Sequence, residues 1–447
     1  MIALGVDIGT TNLKVHRVPD GSMRSVRTPD DADALQHDVR RLVAELSEGQ
    51  RIDAVGITAM AETGVPLDRD LKPLTELITW RDQPGVAQAR RLASEVGPEA
   101  FYARTGLRTS PKLPVVTWRW LLETRPELLA RTRLWAGAPD LALAALTGRF
   151  AMHLTHAQRL GVLDLRRRVW DEELLRFGGL DRLPEVVEPM TVAGTTPDGV
   201  PVVLCGHDHL VGAWAAGVRE PGQVADSLGT AEAIITPSPG LVLDDELRRQ
   251  GISMGWYVDG QDACAVSGNG AAGGLIEQRL AALGRSYSWL QDVLRPVGEP
   301  SEIFIAPYPQ GRQAPEPDPT STYDVSRPAD DPAEELRALA DALSFHARWM
   351  AEEQTRLLGI DWRSTVAFGG PVRLGGWMER KAHASGGRAF AVLDGAATAA
   401  QGAASMAASV VSGVVDKPLR ARVVEVGPHL GEIWDGAFWH RFHKLVT

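Results

Sequence analysis

The chain opens with an apolar run, ALGVDI, a Gly/Thr turn, GTTN, and an alternating run, LKVHRV. An apolar strand, a turn and a period of two predict a β-hairpin. Over DDADALQHDVRRLVAELSEG the apolar positions recur at helical spacing behind an Asp-rich start, which predicts a helix. IDAVGITAM is a short continuous apolar run and predicts a buried strand. Strands followed by a crossover helix are the opening of an α/β fold.

The opening pattern returns near the middle. Residues 222–236 read GQVADSLGTAEAIIT: a strand, an Asp, a Gly-Thr turn and a strand, with DIGT lengthened by one residue to DSLGT. Each copy heads about half of the chain, so a duplicated architecture is expected, with a hinge near AAGVREPGQ (215–223) and a cleft between the halves. This sets two domains, 1–218 and 219–447. Residues 333–359 have helical periodicity and lead into the strand STVAFGG and another helix. The Pro- and Asp-rich stretch 307–332 is expected to be a long surface loop. The Ala- and Ser-rich stretch 396–415 fits a packed helix better than a bilayer span.

Composition narrows the function. Of the 447 residues, 44% are hydrophobic and 23% charged, as in ordinary globular chains. A formal net charge of −10 argues against nucleic acid as a partner, because phosphate contacts need a basic surface. Two cysteines cannot build a disulfide framework or a Cys-based zinc cluster, so a reducing cytoplasm is the expected compartment. Neither a leader nor a membrane partner is expected. A homodimer stays open.

DIGTTNLK (7–14) carries the first chemistry. A tight turn between strands offers backbone N–H groups. Thr10, Thr11 and Asn12 add short donors and Lys14 adds charge, a set suited to phosphate oxygens. Asp7 could hold Mg²⁺ through water. The alternative is a hairpin with Thr-rich polar dressing. SLGTAEA (227–233) is the facing loop, with Gly229 and Thr230 toward phosphate, and Gly369 and Gly370 of FGGPVRLGG let a flat ring or ribose approach the backbone. LCGHDHLVGA (204–213) sets His207, Asp208 and His209 side by side. Adjacent side chains of an extended segment point apart, so convergence of all three on one metal is not expected.

Taken in order, DIGTTNLK, GHD, SLGT and FGG…W resemble the FGGY carbohydrate kinases, of the actin-like, sugar-kinase and Hsp70 ATPase superfamily. ITAMAETGVPLD, LITWRDQ, TGRFAMHLTHAQRLGVLDLRRRVWDEELL and GEIWDGAFWHRF extend the likeness over nearly the whole chain. The resemblance implies two RNase-H-like domains closing over ATP and a small carbohydrate: a ketose, polyol or sugar acid. It implies Asp208 as the base for the acceptor hydroxyl, and Met60, Ala61, Glu62, Trp80 and His209 as substrate contacts. Gly273, Glu277, Gly369, Gly370 and Leu374 would form the nucleotide site. For Glu62 the alternative is a solvated surface carboxylate, and for Trp80 core packing.

Several positions depart from the family pattern. WRDQP has Pro84 in place of an Arg, GRQAP (311–315) replaces a Gly-Glu-Arg motif, and RALADA lacks the usual Glu-Gly. Pro371 and Leu374 stand where a small and a polar residue are usual. Two rival readings follow. One is a nucleotide-gated binding or regulatory protein on the same fold. The other is a metal hydrolase built on His207, Asp208 and His209.

Overall fold

The structure, a computed structural model, describes residues 1–395, 397–415 and 417–447, without the side chain of residue 428. The opening hairpin forms as the alternation requires: β1 (Ala3–Ile8) pairs antiparallel with β2 (Asn12–Val18), and β3 (Met23–Arg27) pairs with β2. Helix α1 (Ala32–Ser47) starts two residues later than the Asp-rich stretch, because Asp31 caps it by accepting from the Ala34 N–H. Its buried Leu35, Val39, Leu42 and Leu46 form one stripe against the sheet.

Strand β4 (Ala54–Ala59) returns parallel to β1. Residues 60–191 follow as a long insertion, largely helical, with a core that includes Trp118 and Trp135. The chain then re-enters the sheet through β5 (Val192–Thr195) and β6 (Pro201–His207), giving the order β5-β6-β4-β1-β2-β3. Strand β6 runs parallel to β4 and passes directly into α2 (Asp208–Ala215).

The second half repeats the plan. Strands β7 (Gln223–Leu228) and β8 (Glu232–Ser238) form the second hairpin around the Gly-Thr turn, extended by β9 (Ser253–Trp256) and β10 (Ala263–Asn269). Helix α3 (Gly273–Leu283) follows, and the long α4 (Pro332–Leu358) leads into β11 (Ser364–Gly369), parallel to β7. After α5 (Gly375–Ala384) come β12 (Ala389–Val392), α6 (Thr398–Ser412) and β13 (Arg422–Val423). The sheet order is β9-β10-β8-β7-β11-β12-β13. In both sheets a hairpin is followed by parallel strands on its first member, which is the duplication seen in the sequence.

One expectation needs correcting. The stretch 307–332 is not loop throughout: Ile305–Pro307 pairs with Tyr323–Val325, and Arg312 is buried between them in sequence. Its guanidinium donates to the carbonyls of Glu316 and Val446 and lies over the rings of Tyr308 and Trp349. The Arg of GRQAP thus ties this segment to the chain terminus. The Ala-rich stretch is a packed helix, as its composition suggests; its first residue, 396, lies outside the described residues. Among the described residues no helix is long and apolar enough to cross a membrane.

Helix α6 follows the second sheet in sequence but packs on the first. A Cβ on Gly5 would lie 1.8 Å from the Ala400 carbonyl oxygen, and one on Gly56 would lie 2.0 Å from that of Ala403. Both obstacles are backbone, which cannot rotate away. Gly56→Ala is therefore expected to destabilise the fold by at least the ~1–3 kcal/mol typical of overpacking. Gly240→Ala, where an added Cβ meets nothing within 4 Å, should stay within about 0.5 kcal/mol of the parent. Urea unfolding of both variants measures the contrast; equal midpoints would mean that α6 does not approach the sheet this closely.

Candidate functional site

Sheet register brings the first group of residues together. Ile8 of β1 and His207 of β6 both pair with Ala59 of β4, so the ends of three parallel strands lie side by side. Each strand end delivers chemistry just there: Asp7 from β1, Met60-Ala61-Glu62 after β4, and His207-Asp208 at the β6–α2 junction. The joint is pinned by the Thr58 hydroxyl, which donates to the Gly206 carbonyl at 2.7 Å, and by the Met60 N–H, which donates to the Ile8 carbonyl at 2.9 Å.

Asp7 is 7% exposed, and its Oδ1 is buried without a hydrogen-bond partner. Burial, with the Asp208 charge added, pushes its carboxyl up to about 7, against the pull of Lys14. Lys14 is the direct cross-strand partner of Asp7. An orphaned carboxylate oxygen beside a second carboxylate fits a hard divalent cation, which takes oxygen ligands and would relieve the repulsion.

The hairpin turn holds the expected donors apart from the core. Thr11 and Asn12 are exposed, while Thr10 is partly buried and accepts at 2.9 Å from the Trp80 indole N–H. The Trp80 ring also packs against the first core. It therefore joins the first Gly-Thr turn to the insertion, a link that neither sequence reading of Trp80 contained.

At 207–209 the structure corrects the sequence reading. One donor atom from each of His207, Asp208 and His209 lies within 4.8 Å of the others. The reason is the junction itself. His207 ends a strand and Asp208 starts a helix, so the alternation of an extended segment no longer applies. His207 Nε2 is 3.4 Å from Asp208 Oδ1, which also accepts from the His209 N–H at 2.7 Å. Burial, reinforced by His209, holds His207 well below the ordinary imidazole range, so it is neutral at pH 7. His209 Nδ1 lies 2.7 Å from the Ser227 hydroxyl, linking the first turn of α2 to β7.

Glu62 is not a solvated carboxylate. Its side chain is 7% exposed and its backbone takes φ +52°, the left-handed region. Oε1 accepts from Arg159 Nε at 2.8 Å and from Arg159 Nη2, with Lys112 Nζ at 3.7 Å. Burial would raise its carboxyl, but Arg159 and Lys112 outweigh that and hold it below the ordinary range. Met60 and Ala61 are buried.

The second group surrounds the turn after β7. A Cβ on Gly273 would lie 2.2 Å from the Gly229 carbonyl oxygen, and one on Gly369 would lie 1.9 Å from that of Leu228. Gly369 also takes φ +113°, so glycine is required there on both counts. The Gly274 N–H donates to the Thr230 carbonyl at 2.9 Å. Gly229, Thr230, Gly273 and Gly369 are thus one neighbourhood, with Gly370 next in the chain. Glu277, one turn into α3, is exposed and accepts from the Tyr287 hydroxyl at 3.0 Å. Leu374 differs from expectation: its side chain is buried in the second core, so only its backbone could face a ligand.

Arg159, Lys112 and Ser227 were not singled out from the sequence. For Arg159 a signal existed: His153, His156 and Arg159 recur every third residue in a stretch already noted. Lys112 lies in a loop and Ser227 pairs across the halves, and neither has a local signature.

Residues 31–215 match the model for the FGGY family of carbohydrate kinases, N-terminal domain. A gluconokinase of Bacillus subtilis (strain 168) is 25% identical over 264 residues, covering 52% of this chain and 51% of that protein. A glycerol kinase of Thermococcus gammatolerans is 24% identical over 340 residues, covering 70% of this chain and 66% of that protein. The chain spans about half the length of the gluconokinase relatives it matches. The crystal structure of a xylulose kinase from Rhodospirillum rubrum superimposes with a TM-score of 0.86 at 22% identity, over 100% of this chain and 98% of that one, a likeness of fold. These matches liken residues 31–215 to the N-terminal domain of the FGGY carbohydrate kinases, and the duplicated hairpin-and-parallel-strand plan of the whole chain is the actin-like ATPase fold of its structural neighbours.

Proposed function

We propose that the chain is an ATP- and Mg²⁺-dependent carbohydrate kinase, transferring the γ-phosphoryl group to a hydroxyl of a ketose, polyol or sugar acid. The observation that carries this is a pair of carboxylates close enough to repel, Asp7 and Asp208, at the ends of β1 and β6 on either side of β4, one with an orphaned oxygen and one beside neutral His207. An alcohol is a poor nucleophile until its proton has somewhere to go. Asp208 accepts it as the oxygen attacks phosphorus, the bond to the β-phosphate oxygen breaks, and ADP leaves. Thr10, Thr11, Asn12 and Lys14 on one side, and Gly229 and Thr230 on the other, would hold the transferring charge. Mg²⁺ held by Asp7 through water would neutralise triphosphate charge when bound. Residues 1–218 would carry the acceptor, base and first loop, and 219–447 the second loop and nucleotide. Relatives named gluconokinase and glycerol kinase support phosphorylation of a small polyhydroxy compound.

The convergence of His207, Asp208 and His209 favours a second reading, a zinc-type centre of three protein ligands with an open position. Elemental analysis of untagged protein decides it. We expect substoichiometric zinc, iron and manganese; one equivalent lost in His207→Ala would establish the metal centre instead.

Asp208→Asn should leave the fold and nucleotide binding intact and lower turnover by roughly 10²–10⁴-fold, the scale of general-base loss. Undiminished ADP release with a true acceptor would remove Asp208 from the mechanism.

Asp7 gives a prediction of opposite sign for stability. Burial and the Asp208 charge push its carboxyl up to about 7 in the folded state, from 3.8 for an unburied aspartate. The folded state therefore holds an extra proton between those values. Its contribution to stability is full below the unfolded value and declines as pH rises toward 7. Asp7→Asn should raise the melting temperature of ligand-free, Mg²⁺-free protein at pH 8 while weakening Mg·nucleotide binding. Thermal melts and calorimetry read the two effects. A variant less stable at pH 8 would show that the carboxylate is already compensated.

A further inference from the structure

Beyond the base, the acceptor side holds an unequal set of charges. Arg159 and Lys112 both approach a single oxygen, Glu62 Oε1. Two cations face one carboxylate. The pair Arg159–Glu62 is close and shielded, with side chains 13% and 7% exposed. Lys112 is different: its ammonium is 3.7 Å from Glu62, beyond a good hydrogen bond, and its side chain is 36% exposed. It is the member of the cluster that reaches solvent.

Among the described residues Glu62 is the one carboxylate that acts on Lys112, while Asp208 is engaged by His207 and by the His209 N–H. His207 faces both Arg159 and Lys112 electrostatically and is held neutral. His156 Nε2 donates to the Ala59 carbonyl and the ring is pushed down by burial, while His209 bonds Ser227. Asp7 faces Lys14 and Asp208 at the phosphoryl end. Glu62 pulls Lys112 upward, yet desolvation together with Arg159 outweighs it and leaves the ammonium below the ordinary lysine range. One carboxylate does not satisfy two cations here, and a second anion would.

That anion has to enter with the acceptor, since Glu62 follows β4 directly and lies on the same strand-end row as Asp208. We infer that the acceptor is an aldonate-type polyhydroxy acid, its carboxylate paired with Lys112 while a hydroxyl is presented to Asp208. The inference rests on the kinase reading above and narrows its acceptor to one chemical class. A neutral ketose or alditol has no group that completes this charge set. Lys112 acts as a specificity residue, and the Arg159–Glu62 pair positions it. Glu62, held at φ +52° by these contacts, fixes the loop on which the arrangement depends.

The test is an ADP-release screen on the full chain with Mg·ATP. It compares aldonates with ketoses and alditols of matched carbon number, using wild type, Lys112→Gln and Lys112→Arg. Wild type should prefer an aldonate in kcat/KM over the alditol of the same carbon skeleton. Lys112→Gln should lower that preference roughly tenfold to a hundredfold, the scale of a lost charge-assisted hydrogen bond, with the change in the aldonate KM rather than in kcat. Lys112→Arg should recover part of it. A wild-type preference for neutral acceptors overturns the inference and leaves the kinase reading standing. So does a Lys112→Gln loss that falls on the KM for ATP. ADP release no faster with any acceptor than with water overturns the kinase reading, and the inference with it.

Discussion

The site depends on a helix that leaves its own half of the molecule. Helix α6 lies so close to β1 and β4 that Gly5 and Gly56 have no room for a methyl group. On its other side, a Cβ at Gly402 would meet the Ala215 methyl at 2.7 Å, so α6 is equally tight against α2. Backbone-to-backbone packing of this kind is stiff, because protein interiors are close-packed and no side chain can swing aside. One helix therefore fixes the strand that carries Asp7, the strand that leads to Glu62 and the helix that begins with Asp208. The carboxylates do not hold each other in place; like charges would separate them. Apolar packing behind the strand ends holds them together.

The same helix α2 touches the second half. A Cβ on Gly212 would lie 2.4 Å from the Phe368 ring of β11, and His209 reaches Ser227 of β7. Asp208 thus starts an element gripped from both sheets. Motion of one sheet relative to the other would be felt at the first turn of α2, where Asp208 sits. The cluster around Glu62 is built differently. Its charged groups come from the insertion: Lys112 from the loop before helix Pro114–Thr124, and Arg159 just after the short helix Leu154–Ala157. The Glu62 cluster thus draws its cations from the insertion, whereas Asp7 and Asp208 ride on the strand and the helix that α6 packs against.

Much of the frame was legible in the sequence because it follows from local rules. Period two gave the opening hairpin, an Asp cap and a 3.6-residue stripe gave α1, and the repeated Gly-Thr turn gave the second hairpin. What was not legible is long-range. The alternation rule misled at 207–209 because a strand becomes a helix between His207 and Asp208. A solvated Glu62 stayed open as an alternative because its partners are 50 and 97 residues away in sequence. Arg312 sits in a Pro-rich stretch that composition assigns to the surface, yet the Val446 carbonyl and two aromatic rings bury it. In each case the deciding partner lies far along the chain, where no window of residues can reach.

The duplication shows how two copies of one plan acquire different chemistry. Asp7 and Asp226 occupy like places, near the end of the first strand of each hairpin and just before the Gly-Thr turn. Both are buried, and each has an orphaned Oδ1. Asp7 faces Lys14 across the hairpin and keeps a carboxyl pushed up to about 7, partly by Asp208. Asp226 instead meets Lys381 of α5 at 2.8 Å, and the same ammonium also holds buried Glu232 of β8. Removing either partner from such a buried group would leave an uncompensated charge, so the triad locks α5 to the second Gly-Thr turn. The second copy therefore spends its aspartate internally, as a structural anchor behind the loop that bears Thr230. Each copy thus sets two carboxylates against one lysine: the first at the strand ends, with Lys14 across the hairpin, and the second inside the packed junction of α5 with β7 and β8.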